Sequence, residues 1–209
     1  MPLLVVDHPL VAHRVAVLRD ARTGSAQFRQ VTGELAGFLV YEATRSLPTV
    51  AGAVVTPLGL EAPTRTLGDH QPLLVPILRA GLALLDGALT AVPTAEVGLV
   101  GLARDEETHL PTPYCVRLPA EVSGTTAIVL DPMLATGGSL AWTCELLAER
   151  GAARVTAVCL LAAPEGIALM AARCPDVDVV VAAVDDGLDE QAFIVPGLGD
   201  AGDRLYGRV

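Results

Sequence analysis

Residues 126–139 read TAIVLDPMLATGGS, and the fold turns on how this stretch is parsed. TAIVL at 126–130 is a short apolar run rich in β-branched residues. Such a run, continuous rather than alternating, is the pattern of a strand covered on both faces. Asp131 and Pro132 end it, and small and hydroxyl residues follow: Ala135, Thr136, Gly137, Gly138 and Ser139. A helical pattern then runs from Ser139 to Arg150 and is closed by Gly151. A buried strand feeding a helix through a glycine turn is half of a βαβ unit.

Working outward, the same signal repeats. LLVPIL at 73–78, VGLVGL at 97–102, VTAVCLLA at 155–162 and DVVVAAV at 178–184 are further runs of this kind. Helical segments lie between several of them, at 80–92 and at 164–173 before Pro175. Strand alternating with helix predicts an α/β fold with a doubly wound, mostly parallel sheet. In such sheets ligands bind beyond the carboxyl ends of the strands, so the loops after these runs are where chemistry is to be sought.

The flanks are less regular. Residues 1–24 form an apolar lead and then an arm or short helix carrying Arg14, Arg19 and Arg22, to which no function attaches. From Ser25 to Leu47, Phe28, Val31, Leu35, Phe38 and Leu39 recur at helical spacing, and Pro48 ends that helix. Residues 49–72 read as a β-hairpin or an irregular excursion. The tail 184–209 is too rich in Gly, Asp and Pro for helix but keeps Phe193, Ile194, Val195 and Leu198, which marks an ordered hood or lid. Asp186, Asp189 and Glu190 read as solvated acids; Asp200 and Asp203, framed by glycines, stand apart from them.

A length of 209 residues suits one domain. With 52% hydrophobic and 18% charged residues, a disordered chain is excluded. No apolar run approaches the length needed to cross a bilayer, and Asp7 interrupts the N-terminal apolar lead, so neither a membrane nor a secretory path is expected and the cytoplasm is the expected location. All fourteen basic residues are Arg. The absence of Lys removes Walker-type phosphate loops, Schiff-base aldolases and pyridoxal enzymes. A net charge of -10 opposes nucleic acid and anionic membranes as partners. Cys115, Cys144, Cys159 and Cys174 are widely spaced and read as reduced structural thiols.

Three loops carry candidate chemistry. In the first, Thr136 and Ser139 offer hydroxyls, Gly137 and Gly138 allow close backbone approach, and the helix that follows presents unpaired amides. That is a cradle for a phosphate monoester. Asp131 would repel a phosphate but suits the hydroxyls of an attached sugar, so the pair indicates a ribose phosphate. The alternative is a plain strand-to-helix turn using Thr-Gly-Gly for geometry. In the second and third loops, Arg79 beside Gly81 and Arg104 at the next strand end could converge on further phosphates. Arg104 could equally pair with Asp105, Glu106 and Glu107 at the surface.

Taken together, VPILRAG at 75–81, RDEET at 104–108, VLDPMLATGGS at 129–139, AAPEG at 162–166 and FIVPGLGDAGDR at 193–204 closely resemble the uracil phosphoribosyltransferase family, a branch of the type I phosphoribosyltransferases. DHPLVAHR at 7–14 and YEATR at 41–45 extend the likeness over nearly the whole chain. The resemblance implies that Asp131, Pro132, Met133, Leu134, Ala135, Thr136, Gly137, Gly138 and Ser139 hold the ribose and 5-phosphate of phosphoribosyl diphosphate (PRPP). It implies diphosphate-side roles for Arg79 and Arg104, with the Arg79–Ala80 bond at a position the family often holds cis. Uracil would be read by Ile194, Gly199, Asp200 and Ala201, and Asp131, Arg104 and Asp200 would carry catalysis. The implied cofactor is Mg2+, brought by PRPP, with no direct protein metal site unless Asp200 supplies one. The implied partners are uracil, PRPP, further copies of the chain in a homodimer or larger assembly, and GTP as an effector. Phe193 departs from the family, where Tyr is common. The competing readings on the same fold are an RNA-binding attenuator, which the acidic charge disfavours, and a silent nucleotide-binding regulator of pyrimidine metabolism, which would show damage at Arg79 or in the Asp131–Ser139 loop.

Overall fold

The five apolar runs become the parallel centre of one sheet. The computed structural model describes residues 1–69, 71–104, 111–119 and 121–207, with the side chains of Arg104 and Pro111 outside that description. In chain order the elements are β1 (Leu3–Val5), α1 (Pro9–Arg19), α2 (Ser25–Ala43), β2 (Val50–Val55), β3 (Glu61–Thr66), β4 (Leu73–Leu78) and α3 (Leu82–Ala91). Then come β5 (Glu96–Val97), β6 (Leu99–Arg104), β7 (Pro111–Arg117), β8 (Thr126–Leu130), β9 (Met133–Leu134), α4 (Gly138–Glu149) and β10 (Arg154–Ala162). The chain closes with α5 (Pro164–Arg173), β11 (Asp178–Val184), β12 (Gly187–Leu188), β13 (Ile194–Val195) and α6 (Ala201–Tyr206).

The sheet runs β1-β11-β10-β8-β4-β6-β7, with β5 beside β4 and β9 beside β10. Every pairing in it is parallel except β6 with β7. Ala157, at its middle, lies opposite Val129 on one side and Val179 on the other. Successive side chains of β8 enter two different cores, as the two-residue period of a strand requires. Ile128 and Leu130 pack with Phe28, Leu35, Leu39 and Leu84 under α1, α2 and α3. Ala127 and Val129 pack with Leu140, Leu147 and Met170 under α4 and α5. Helices α2 and α3 meet at glycines: a Cβ on Gly87 would stand 1.8 Å from the Gly33 carbonyl oxygen.

The arm is a short helix packed on the body, as expected, and β1 before it pairs with β11 and extends the sheet. Three features depart from the reading. Helix α2 ends at Ala43, before Pro48, in a turn where the Thr44 hydroxyl donates to the Val40 carbonyl at 2.9 Å. The strand β7 was unforeseen: Pro111 and Pro113 argue against a central strand but are tolerated at a sheet edge. The tail does contain a helix, α6, with Asp200 as its N-cap and Ala201 and Leu205 buried; six residues are too few to show a helical period. Of the two readings of 49–72, the hairpin is correct, formed by β2 and β3. No described helix is long and apolar enough to cross a membrane.

Candidate active site

Because β4, β6, β8 and β10 are parallel neighbours, their carboxyl ends lie along one edge of the sheet. Asp131 leaves β8 there. Its N–H still donates to the Val158 carbonyl at 3.1 Å, Leu160 N–H donates to the Pro132 carbonyl at 2.9 Å, and β9 pairs Met133 with Leu161. The first half of the loop is thus a continuation of the sheet beside β10, which the sequence pattern did not show. The second half turns at Gly137, whose φ of +82° suits glycine. Helix α4 starts at Gly138 with no side-chain cap on its first-turn amides, so those N–H groups remain available to an anion. The Asp131 carboxyl is pushed up to about 7 by burial against the strand end, opposed by a bond from the Met133 backbone N–H. Part of the residue is still reached by solvent, so a ligand can be too.

Arg79 is exposed at the end of β4. The cis peptide of this turn is Leu78–Arg79, one bond earlier than expected, and Gly81 N–H closes the turn onto the Ile77 carbonyl at 2.9 Å. Arg79 is near enough to Tyr206 to favour its phenolate, alongside Arg29, although burial and Asp86 push that phenol up. Arg104 is the last residue of β6, paired in register with Pro111. Its side chain, and the rest of the RDEET motif at 105–108, lie outside the described residues.

The proposed base-reading tail is more built than its composition suggests. Strands β12 and β13 pair Leu188 with Ile194, which is buried. Glu165 of α5 accepts a bond from Leu188 N–H at 3.1 Å and ties this small sheet to the body. Asp189 is not merely solvated: its Oδ1 accepts from the N–H groups of Gln191 and Phe193 at 2.9 and 2.8 Å and shapes the loop between the strands. After a cis Val195–Pro196 bond, Gly197 and Gly199 take φ of +60° and +80°. Asp200 Oδ1 accepts from Asp203 N–H at 2.8 Å, so this carboxylate caps α6. Ala201 is buried beneath it.

Sequence reasoning missed the residues that hold this tail down. Asp185, only 8% exposed, takes a bidentate bond from Arg19 of α1 and a 2.9 Å bond from Gly197 N–H. Burial works to raise the Asp185 carboxyl, but those donors outweigh it and hold it below its usual range. Arg204 donates to the carbonyls of Leu18, Leu198, Asp20 and Thr23 and lies over the Phe28 ring, 4.3 Å from its centroid. Burial pushes the Arg204 guanidinium down, with Asp20 opposing. A cleft of about 390 Å³ lies between Arg19, Pro196, Gly197, Leu198, Gly199 and Arg204. The signal for Asp185 was lost inside an acidic run, and Arg19 lies in the arm beyond the DHPLVAHR stretch.

The contacts link these loops into one surface. Gly81 abuts Leu130, Gly166 abuts Leu134 and Ala135, and Gly187 abuts Glu165. The predicted residues of the Asp131–Ser139 loop, Arg79 and the tail therefore sit on consecutive, touching segments. Among the described residues no group of three or more His, Cys, Asp or Glu side chains is arranged to hold a metal ion.

Comparison with known proteins shows the family and the fold. The profile of a family described as "Uracil phosphoribosyltransferase" matches residues 5–208. A protein of that name from Kineococcus radiotolerans is 54% identical over 212 residues, covering all of both chains. A solved structure of a protein from Aquifex aeolicus superposes with a TM-score of 0.93 at 39% identity, covering 98% of each chain. An adenine phosphoribosyltransferase from Leishmania donovani shares the fold alone, with a TM-score of 0.59 at 14% identity over 91% of this chain and 86% of its own.

Proposed function

The chain belongs to the uracil phosphoribosyltransferase family, and from that premise we propose how its carboxyl-edge loops convert uracil and PRPP into UMP and diphosphate. A uracil ring nitrogen attacks the anomeric carbon of PRPP from the face opposite the diphosphate. The new C–N bond forms as the C–O bond breaks with inversion, the electron pair leaves on diphosphate, and the nitrogen's proton passes to solvent. No side chain is assigned as general base.

The residue roles follow from charge and place. Thr136, Gly137, Gly138 and Ser139 take the 5-phosphate with the uncapped amides of α4. Asp131, with Pro132, Met133, Leu134 and Ala135 fixing the loop beside β10, takes the ribose hydroxyls and faces the positive charge that grows on the sugar. Arg79 and Arg104 stabilise the departing diphosphate. Ile194, Gly199, Asp200 and Ala201 present a backbone edge to uracil's acceptor–donor–acceptor pattern. A base with a different pattern leaves a buried group unpaired there. Phe193 withholds the hydroxyl common in the family but leaves those backbone groups unchanged.

Magnesium would enter this site with the substrate, as the family resemblance implies. Diphosphate oxygens and waters would be its main ligands, with Asp200 as the protein's contribution. When bound it neutralises charge on the leaving group. A homodimer or larger assembly is supported by the exposed apolar face of the β2–β3 hairpin, where Leu58 is 84% and Val55 70% exposed. A cytoplasmic location is supported by four free thiols. GTP as an effector rests on the family resemblance alone.

The observation that carries the reading is an undamaged Asp131–Ser139 loop on the same edge as an ordered Ile194–Ala201 segment. Its test is conversion of radiolabelled uracil to UMP with PRPP and magnesium, beside cytosine, hypoxanthine and an Asp131→Asn variant. Conversion confined to uracil and greatly reduced in the variant is expected. Tight PRPP binding with no base converted would point instead to the nucleotide-binding regulator.

A further inference from the structure

We propose that Arg19, in the arm to which the sequence attached no function, is a positioning residue for base selection: through Asp185 and Gly197 it fixes the backbone against which uracil is read. The proposal rests on the function given above and deepens it.

The guanidinium, the carboxylate and one peptide form a closed set of bonds. Arg19 Nη1 donates to Asp185 Oδ2 and to the Gly197 carbonyl, both at 2.8 Å, and Nη2 donates to Asp185 Oδ1 at 2.5 Å. Gly197 N–H donates back to Asp185 Oδ2 at 2.9 Å. Both polar groups of Gly197 are therefore taken by this one ion pair. The next carbonyl, that of Leu198, is taken by Arg204 at 2.9 Å. Only glycine fits at this point, since a Cβ on Gly197 would stand 2.0 Å from the Ile194 carbonyl oxygen. The residues that follow this clamp directly are Gly199 and Asp200, which are assigned to uracil.

Discrimination by a hydrogen-bonding edge needs an edge that cannot adjust. A backbone free to shift by an ångström would re-pair with cytosine, and the penalty for the wrong base would disappear. Neither Gly197 nor Gly199 supplies stiffness of its own, as glycine is the least constrained residue. The stiffness comes from a planar, two-pronged cation delivered by α1, which reaches two acceptors at once, a task for which Lys is not equivalent.

The test compares wild type with Arg19→Lys, Asp185→Asn and Arg19→Ala, measuring kcat, the KM of uracil and of PRPP separately, cytosine turnover and melting temperature. The Arg19→Lys protein is expected to show a uracil KM raised about tenfold, the loss of one charge-assisted bond, with the PRPP KM within about twofold. Asp185→Asn should change the same parameter in the same direction. Relative turnover of cytosine should rise in both. Millimolar guanidinium should lower the raised uracil KM of Arg19→Ala. If Arg19→Ala does not fold, Arg19→Lys decides alone. A folded Arg19→Lys protein with a lowered melting temperature and both KM values unchanged would make the pair a brace only and overturn the proposal, as would equal rises in both KM values. Wild type that converts no uracil overturns the functional reading and this proposal with it; active wild type with an unmoved uracil KM in the variants overturns this proposal alone.

Discussion

A Cβ built on Gly81 would stand 2.4 Å from the carbonyl oxygen of Leu130 and 2.6 Å from the backbone of Ile77. The turn that carries Arg79 therefore touches, backbone to backbone, the strand that delivers Asp131. The separation of the backbones that carry Arg79 and Asp131, the residues proposed to meet the diphosphate and the ribose, is set by this contact, because neither partner is a side chain that could swing away.

Gly81→Ala should separate the two loops. Forced overpacking of this kind costs about 1–3 kcal/mol, visible as a lower urea midpoint. The sharper expectation is kinetic: the PRPP KM rises by more than the uracil KM, because the displaced groups are both proposed to serve PRPP. Equal effects on the two would show that the contact matters for folding only.

The two glycines before α4 should behave differently from each other. Gly137 has a positive φ, and a Cβ there would meet the Gly166 carbonyl at 3.0 Å, so Gly137→Ala is expected to destabilise the protein. Around Gly138 nothing lies within 4 Å of a built Cβ. Gly138→Ala should then leave stability within about 0.5 kcal/mol, the usual range for an unobstructed surface change. If a phosphate approaches that amide, however, the new methyl stands in its path, and the PRPP KM should rise while the melting temperature does not. Calorimetric titration of PRPP into both variants separates the cases.

Asp131 makes stability depend on pH in a direction opposite to that of a salt-bridged acid. Its carboxyl ionises near 4 when unfolded and at about 7 in the folded protein. Between those values the native chain holds a proton that the unfolded chain has released, so the stability it contributes is complete below pH 4 and is lost as pH rises through 7. Each unit of that displacement is worth ~1.4 kcal/mol. Ligand-free protein should melt at lower temperature at pH 8 than at pH 5, and Asp131→Asn should flatten that slope. A slope unchanged in the variant would assign the pH dependence elsewhere.

Much of this architecture was legible in the sequence, for a physical reason. Strands buried on both faces must be apolar throughout, so β4, β8, β10 and β11 announced themselves, and the glycines after β8 marked the turn into α4. What escaped was structure whose signal is held by partners far away in the chain. The strand β9 exists because β10 lies beside Met133 and Leu134, and nothing local to those residues requires it. Asp185 and Asp186 are adjacent and chemically identical, yet only Asp185 meets Arg19, 166 residues away. The edge strand β7 was hidden by prolines that an edge position tolerates, and α6 by being shorter than its own periodicity.

The β2–β3 hairpin is expected to be a subunit contact. Val50, Val54, Val55, Leu58 and Leu60 are all exposed, an apolar grouping that isolated chains rarely leave to water. Changing Val55 and Leu58 together to Asp should move the protein to a smaller species in sedimentation while its far-ultraviolet dichroism is retained. A wild-type chain that already sediments as a monomer would remove this role from the hairpin.

Arg204 should be the least replaceable residue of the tail for stability. Its guanidinium serves four carbonyls drawn from the end of α1, the turn before α2 and the loop before α6, so its removal leaves several part-buried acceptors without donors at once. An unsatisfied buried group costs about 1–3 kcal/mol, and the stacking over Phe28 is lost as well. Arg204→Ala is therefore expected to lower the unfolding free energy by at least about 3 kcal/mol. Arg204→Lys should recover less than half of that, because an ammonium reaches fewer of these acceptors and lacks the planar face that covers the ring. Equilibrium urea unfolding of the two variants measures this directly. Full recovery by Lys would mean that charge alone holds the tail to α1 and that the four-way geometry is incidental.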